Sequence, residues 1–126
     1  MTRIEFIKKI EERRKQLDIT IENLAKLSGL GTRTVNRFFA GEDVKLSTVE
    51  KITTFLGTNL AGDEKVSIKK LKKNRAAKRA LFMASLVQST SALEKQGLEK
   101  KEIGKMTKEF ENQFLTGLYK DRLWID

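Results

Sequence analysis

The sequence predicts an all-α protein: an N-terminal four-helix domain followed by a C-terminal helical hairpin. Three observations carry this. Proline is absent and glycine occurs only eight times in 126 residues, so helix breakers are scarce. Apolar residues recur three and four positions apart rather than alternating. Capping signatures stand where such patterns begin, as in Thr2 with Glu5 and Ser47 with Glu50. A hydrophobic fraction of 39 % is enough for one compact domain or a small domain with an extension.

The first helix is expected over residues 3–17, opened by Thr2 and carrying Phe6, Ile7, Ile10 and Leu17 on its apolar stripe. Thr20 can cap a second helix that runs to about Leu27. Ser28–Gly31 then form a turn, and a third helix runs from Thr32 to Phe39. Gly41 suits the left-handed conformation beyond a helix end. "STVE" at 47–50 opens a fourth helix with Val49, Ile52 and Leu56 on one face, stopped by Gly57. The boundaries read from this are a domain at 1–58, a linker at 59–65 and a helical region at 66–126. Within the last, one helix is expected from Val66 to Glu94, its broad apolar face formed by Phe82, Met83, Leu86, Val87, Thr90 and Leu93. Gly97 interrupts. A second helix from Glu99 to Leu118 carries Ile103, Met106, Phe110, Phe114 and Leu118. There is no internal repeat.

The residue types exclude much chemistry. With no cysteine and no histidine, disulfides, thiol catalysis, the commonest general base and the commonest metal ligand are all absent. The carboxylates are scattered among lysines. We therefore expect no enzyme, no cofactor and no metal site. With no signal peptide and no apolar run near 18 residues, the expected location is cytoplasmic.

The formal net charge is +9, which points to a polyanionic partner. The excess is not spread evenly. Residues 1–62 carry a net +3, residues 63–79 a net +6 and residues 80–126 none. The basic block is "KVSIKKLKKNRAAKR", and a block this dense repels itself unless an anion lies near. Lys69, Lys70, Lys72 and Lys73 are the candidates for a phosphate-contacting arm. A solvated helix face or interdomain linker is the alternative reading.

The stretch "LAKLSGLGTRTVNRFFAG" at 24–41 asks for more than a helix. Ala25, then Gly29 four later, then β-branched Val35 six after that, are what two short helices crossing steeply require: a small contact residue, a turn residue free to take positive φ, and apolar anchors in Leu24, Leu30, Val35 and Phe38. With "TIEN" before it and "LSTVEKITTFLG" after it, residues 2–57 resemble the Cro/lambda-repressor type helix-turn-helix, or XRE family.

The resemblance implies that the helix at 32–39 enters the DNA major groove. Thr32, Arg33, Asn36 and Arg37 would then face base edges, and Thr34 would lie nearer the phosphates. Arginine bonds guanine bidentately, and asparagine does the same for adenine. Thr20, with the N-terminal amides of the second helix, would meet a phosphate. Two positions depart from the usual pattern. Ile21 stands where many members carry Gln, and Gly31 where a capping Ser or Asn is common. Outside such a motif, Arg33, Asn36 and Arg37 would read as a solvated helix face. Phe39 has three open placements: core, dimer partner or solvent.

The C-terminal half resembles no named family. Phe110, Phe114, Leu118 and Trp124 are its candidate dimer or partner residues. The terminal "LWID" cluster is expected to dock, either within its own chain or onto another. Gln88, Ser89, Thr90 and Ser91 could fix helix register by buried hydrogen bonds or line a small pocket. The function expected is a sequence-specific transcriptional regulator, a homodimeric repressor reading an inverted repeat in double-stranded DNA. The alternative is an antitoxin-type protein whose C-terminal hairpin neutralises a protein partner. An enzyme with an accessory helix-turn-helix would need catalytic residues that the last 64 residues lack, and RNA binding would need exposed aromatics for base stacking.

Overall fold

The computed structural model describes residues 1–93 and 100–125. These form six α-helices and one 3-10 turn, with no strand among the described residues: α1 (Arg3–Gln16), α2 (Ile21–Ser28), α3 (Thr32–Phe39), α4 (Leu46–Phe55), α5 (Ile68–Leu93), α6 (Lys100–Thr116) and the turn at Lys120–Arg122. The all-α class and the order of four helices followed by further helices are as the sequence predicts. The chain divides into two compact units, Met1–Leu71 and Lys72–Ile125, and the division falls inside α5. The expected interruption at Gly97 lies outside the described residues.

Four helices and the first turn of α5 make the first unit, and each of the four ends in the same way. At α1 through α4 the next two amides bond back to carbonyls in the last turn, as in Gly29 to Lys26 and Leu30 to Ala25, or Gly41 to Phe38 and Glu42 to Arg37. This closure needs a left-handed residue just past the helix. Glycine fills that place after α2, α3 and α4. After α1 it is Asp18, with φ of 55°, one of the few side chains that tolerate the region. The helix starts are equally local. Thr2 accepts from the Glu5 amide at 3.2 Å while the Glu5 carboxylate accepts from the Thr2 amide, the reciprocal arrangement expected from sequence. Thr20 accepts from the Asn23 amide at 3.1 Å.

The fourth helix corrects one expectation. It starts at Leu46, capped by the extended backbone of Lys45, with no side-chain cap bond. The amides of Thr48 and Val49 bond the Lys45 carbonyl instead, so Ser47 lies already inside the helix and "STVE" does not act as a capping box. Thr48 turns inward and is buried.

The core of this unit is Ile10, Leu17, Ile19, Leu24, Val35, Phe38, Ile52 and Leu56, all at most 3 % exposed. Burying each such side chain contributes roughly 1.5–3 kcal/mol. Phe38 meets the edge of Phe6 at 6.2 Å and of Phe39 at 5.0 Å. Phe39 is half-buried, with the Arg14 guanidinium 5.8 Å from its ring centre. It is therefore part of the aromatic cluster at the base of α3.

One charged residue sits inside this core. Arg13 lies three residues after Ile10 and four before Leu17, on the buried stripe of α1. Its guanidinium donates to the Leu56 carbonyl at 2.8 Å, to the Glu64 carboxylate at 2.7 Å and to the Val66 carbonyl. The Lys65 and Val66 amides both donate to the Gly57 carbonyl, and Thr58 bridges Glu64. Residues 58–66 are thus fastened to α1 and α4. Glycine at 57 is favoured by its backbone, and a side chain there would also press on its neighbours. Its φ is 73°, and a Cβ there would stand 2.7 Å from Leu71 Cδ1.

In the second unit, α5 buries its small residues. Ala76, Ala80 and Ala84, four apart, form its covered stripe, and Met83 beside them is half-buried. The expected packed face is not the one realised: Phe82, Leu86 and Val87 are exposed, as is Leu81. The physical reason is where the rest of the unit reaches. Arg75 donates to the Leu123 carbonyl at 2.9 Å and the Arg79 guanidinium lies 5.2 Å above the Phe114 ring. Both anchors are on the first half of α5, where alanines allow close approach. The side chains of Thr90 and Leu93 lie outside the described residues.

The apolar stripe of α6 runs through Ile103, Met106 and Phe110, all half-buried, to buried Phe114. It stops there. The helix ends at Thr116, and the amides of Gly117 and Tyr119 both bond the Gln113 carbonyl, which swings Leu118 out to 86 % exposure. Tyr119 takes the place expected for Leu118, its ring 5.5 Å from Phe114. Leu123 and Trp124 are buried and Ile125 is exposed.

Candidate nucleic-acid interface

The site grows out of the turn between α2 and α3. Thr20 opens α2 with its hydroxyl on the Asn23 amide, which leaves the helix start facing solvent. Leu24 and Ala25 face inward at 0 % and 1 % exposure. Gly29 then takes φ of 74°, and nothing lies within 4 Å of where a Cβ would be. Glycine is needed there for backbone conformation, not for space. Gly31 caps α3 with extended backbone and no side-chain bond.

The eight residues of α3 split cleanly by face. Val35 and Phe38 are buried, Thr34 and Phe39 are half-buried, and Thr32, Arg33, Asn36 and Arg37 are exposed. The exposed four recur at one, four and five residues after the first, one outward stripe of a helix. Arg33, Asn36 and Arg37 line a single shallow depression with Ala40 and Glu42. The structure therefore brings together the residues singled out for base contact. An α-helix with its side chains is about 10–12 Å across, and the B-DNA major groove is about 12 Å wide.

Glu42 was not singled out from the sequence. Its carboxylate meets the Arg37 Nε at 3.2 Å, and its amide closes α3 by bonding the Arg37 carbonyl at 3.0 Å. The signal was present: a carboxylate directly after the glycine of a helix-closing turn sits beside the last turn's side chains. Both groups are more than half exposed, so the pair orients the guanidinium more than it stabilises the fold.

The lysine block occupies the start of α5. Ser67 accepts from the Lys70 amide at 3.1 Å. Lys69, Lys70 and Lys73 are exposed and Lys72 is half-buried. No acidic residue stands in this first turn, so the lysine charge adds to the positive end of the helix dipole. Of the candidate partner residues, Phe114 and Trp124 are covered within the chain, Phe110 is half-buried, and Leu118 is open to solvent.

Two short helices joined by a left-handed glycine, with the second helix showing a polar stripe outward, define a helix-turn-helix domain. Comparison with known proteins agrees. Residues 10–62 match the family model described as Helix-turn-helix, and this part of the chain is a domain of that family. A protein of Archaeoglobus fulgidus, carrying the provisional name of HTH-type transcriptional regulatory protein, is 38 % identical over 50 residues. Those residues are 40 % of this chain and 16 % of that protein, so the chain spans about a sixth of the relative it matches. No solved structure gives a significant match. Among the described residues, no helix is long and apolar enough to cross a membrane.

Proposed function

We propose that this protein is a sequence-specific DNA-binding transcriptional regulator, a dimeric repressor that reads an inverted repeat by laying α3 in the major groove. The observation that carries the reading is the outward stripe of Arg33, Asn36 and Arg37 on a helix fixed by Val35, Phe38 and the Gly29 turn. A fork of guanidinium donors matches the O6 and N7 acceptors of guanine, and an amide matches the N6 and N7 edge of adenine. Thr32 reaches a base edge at the start of the helix. Thr34 and Thr20 contribute phosphate contacts, the latter at a helix start whose dipole favours an anion. Lys69, Lys70, Lys72 and Lys73 supply attraction to the backbone that is independent of sequence. A single α3 reads few bases. Two copies related by a two-fold axis would read half-sites about one helical turn apart.

In this reading Glu42 holds Arg37 pointed along α3 until a base edge replaces the carboxylate. The energy lost is small, because an exposed ion pair is worth about 0–1 kcal/mol.

The test is selection of bound sequences from a random duplex library, run in parallel with wild type and with Arg33→Ala plus Arg37→Ala. Wild type should recover an inverted repeat. The double variant should keep its helix content and lose the selection, each arginine carrying roughly 1–3 kcal/mol of discrimination. Replacing the four lysines should instead weaken binding to all duplexes alike and reduce the dependence on salt. Salt-sensitive binding with no sequence enriched would overturn the specific reading and favour the antitoxin-type alternative.

A further inference from the structure

The second half of α5 has an exposed apolar surface that the fold leaves uncovered. Leu81 is 64 % exposed, Phe82 57 % and Leu86 51 %. At 100° per residue these lie on the side opposite the buried Ala76, Ala80 and Ala84, with Ser85 between them. The helix is thus apolar on two opposed faces, and a helix apolar all round is ordinarily buried all round. Here only the alanine face is covered.

We infer that this outer face of α5 is a self-association surface, on which a second copy of the chain packs its own α5 antiparallel across a two-fold axis between Phe82 and Leu86. This rests on the dimer part of the proposed function and gives that dimer its interface.

Charge selects the occupant. From Ala80 to Leu93 the chain carries no charged residue, in a protein where 34 % are charged. A nucleic acid or an acidic protein gains nothing on such a face and would prefer the lysines before it. A two-fold interface has to match itself, so it cannot carry a net charge without repelling its copy. In a chain of net charge +9, this neutral face meets that demand. Shape agrees with it: Phe82 and Leu86, four apart, form one ridge, and small Ser85 lies beside it, one turn above Leu81, where a partner's ridge can set.

Orientation follows from the same charges. Lys73 lies eleven residues before the proposed axis, about 16 Å along the helix. Antiparallel packing then sets the two copies of Lys73 about 33 Å apart, several Debye lengths at physiological salt. Parallel packing would place them side by side.

The test needs no DNA, so it separates this inference from the reading of α3. Sedimentation equilibrium of the full chain across the micromolar range should show a monomer–dimer equilibrium. Phe82→Lys with Leu86→Lys should weaken it by more than about tenfold while leaving the circular dichroism unchanged. A wild type that stays monomeric, or a variant that still dimerises, overturns the assignment.

If the lysine variant fails to fold, cysteine scanning decides, since the chain has no native cysteine to interfere. Ser85→Cys should oxidise to a covalent dimer, while Lys73→Cys and Leu118→Cys should not. Cross-linking through both Ser85→Cys and Lys73→Cys would mean parallel packing, and through Leu118→Cys alone an interface at the end of α6. Either result overturns the model proposed here. Loss of sequence selection with the dimer intact would fault the DNA reading alone.

Discussion

The two units of this chain distribute their apolar residues differently. In Met1–Leu71 one core takes most of the large side chains: Ile10, Leu17, Leu24, Ile52 and Leu56 are fully buried, Ile4, Leu46 and Leu60 stay exposed on separate elements, and even the charge of Arg13 is enclosed and bonded three ways. In Lys72–Ile125 the covered residues of α5 are alanines, while Leu81, Phe82 and Leu86 face solvent. The first unit is stabilised by its own core. The second holds Phe114, Leu123 and Trp124 in a smaller one and leaves Leu81, Phe82 and Leu86 exposed. In the first unit the buried core fixes the helix that carries Arg33 and Asn36 outward; in the second the large exposed residues gather on one helix.

The same substitution made in both places would break or sharpen this contrast. Leu24→Ala removes a side chain at 0 % exposure and should cost about 3–4 kcal/mol in denaturant unfolding. Leu86→Ala, at 51 % exposure, should cost less than about 0.5 kcal/mol in dilute solution. Its cost should rise with protein concentration if that face is an interface. Equal costs at high dilution would show that the second unit packs this leucine internally, and the contrast would fail.

A smaller effect is expected at Arg13. Arg13→Gln leaves the Leu56 and Val66 carbonyls without their donor and should cost about 2 kcal/mol. Hydrogen exchange at the amides of residues 58–66 should quicken more than exchange at α2 or α3. Uniform quickening would mean that Arg13 supports the whole unit and not this segment. The smallest effect is a gain. Asp18→Gly relieves a non-glycine residue at positive φ and should stabilise the first unit by a few tenths to about 1 kcal/mol. A loss would show that the Asp18 side chain contributes more than its backbone conformation costs.

Much of this was legible in the residues because the governing interactions are local. The Thr2 and Thr20 caps, the left-handed Gly29 and Gly41, and the span of α3 depend on neighbours within five residues. The outward placement of Thr32, Arg33, Asn36 and Arg37 follows once Val35 and Phe38 are assigned to the core. The misses have two causes, one local and one long-range. Lys45 rather than Ser47 starts α4, because an extended backbone can supply the first acceptor without a side chain. Arg13 reads as a surface cation until Leu56, Glu64 and Val66, more than forty residues away, are brought around it.

Sequence alone determined the helical class, the order of the first four helices, the turn that sets α2 against α3, and which side chains of α3 are polar and outward. These follow from propensity, capping and a 3.6-residue period, all short-range. Tertiary structure decided which face of α5 is covered and that Arg13 is interior. An apolar pattern states that a face can be buried. It does not state against what, because that depends on which distant segment reaches it first and how closely small residues let it approach.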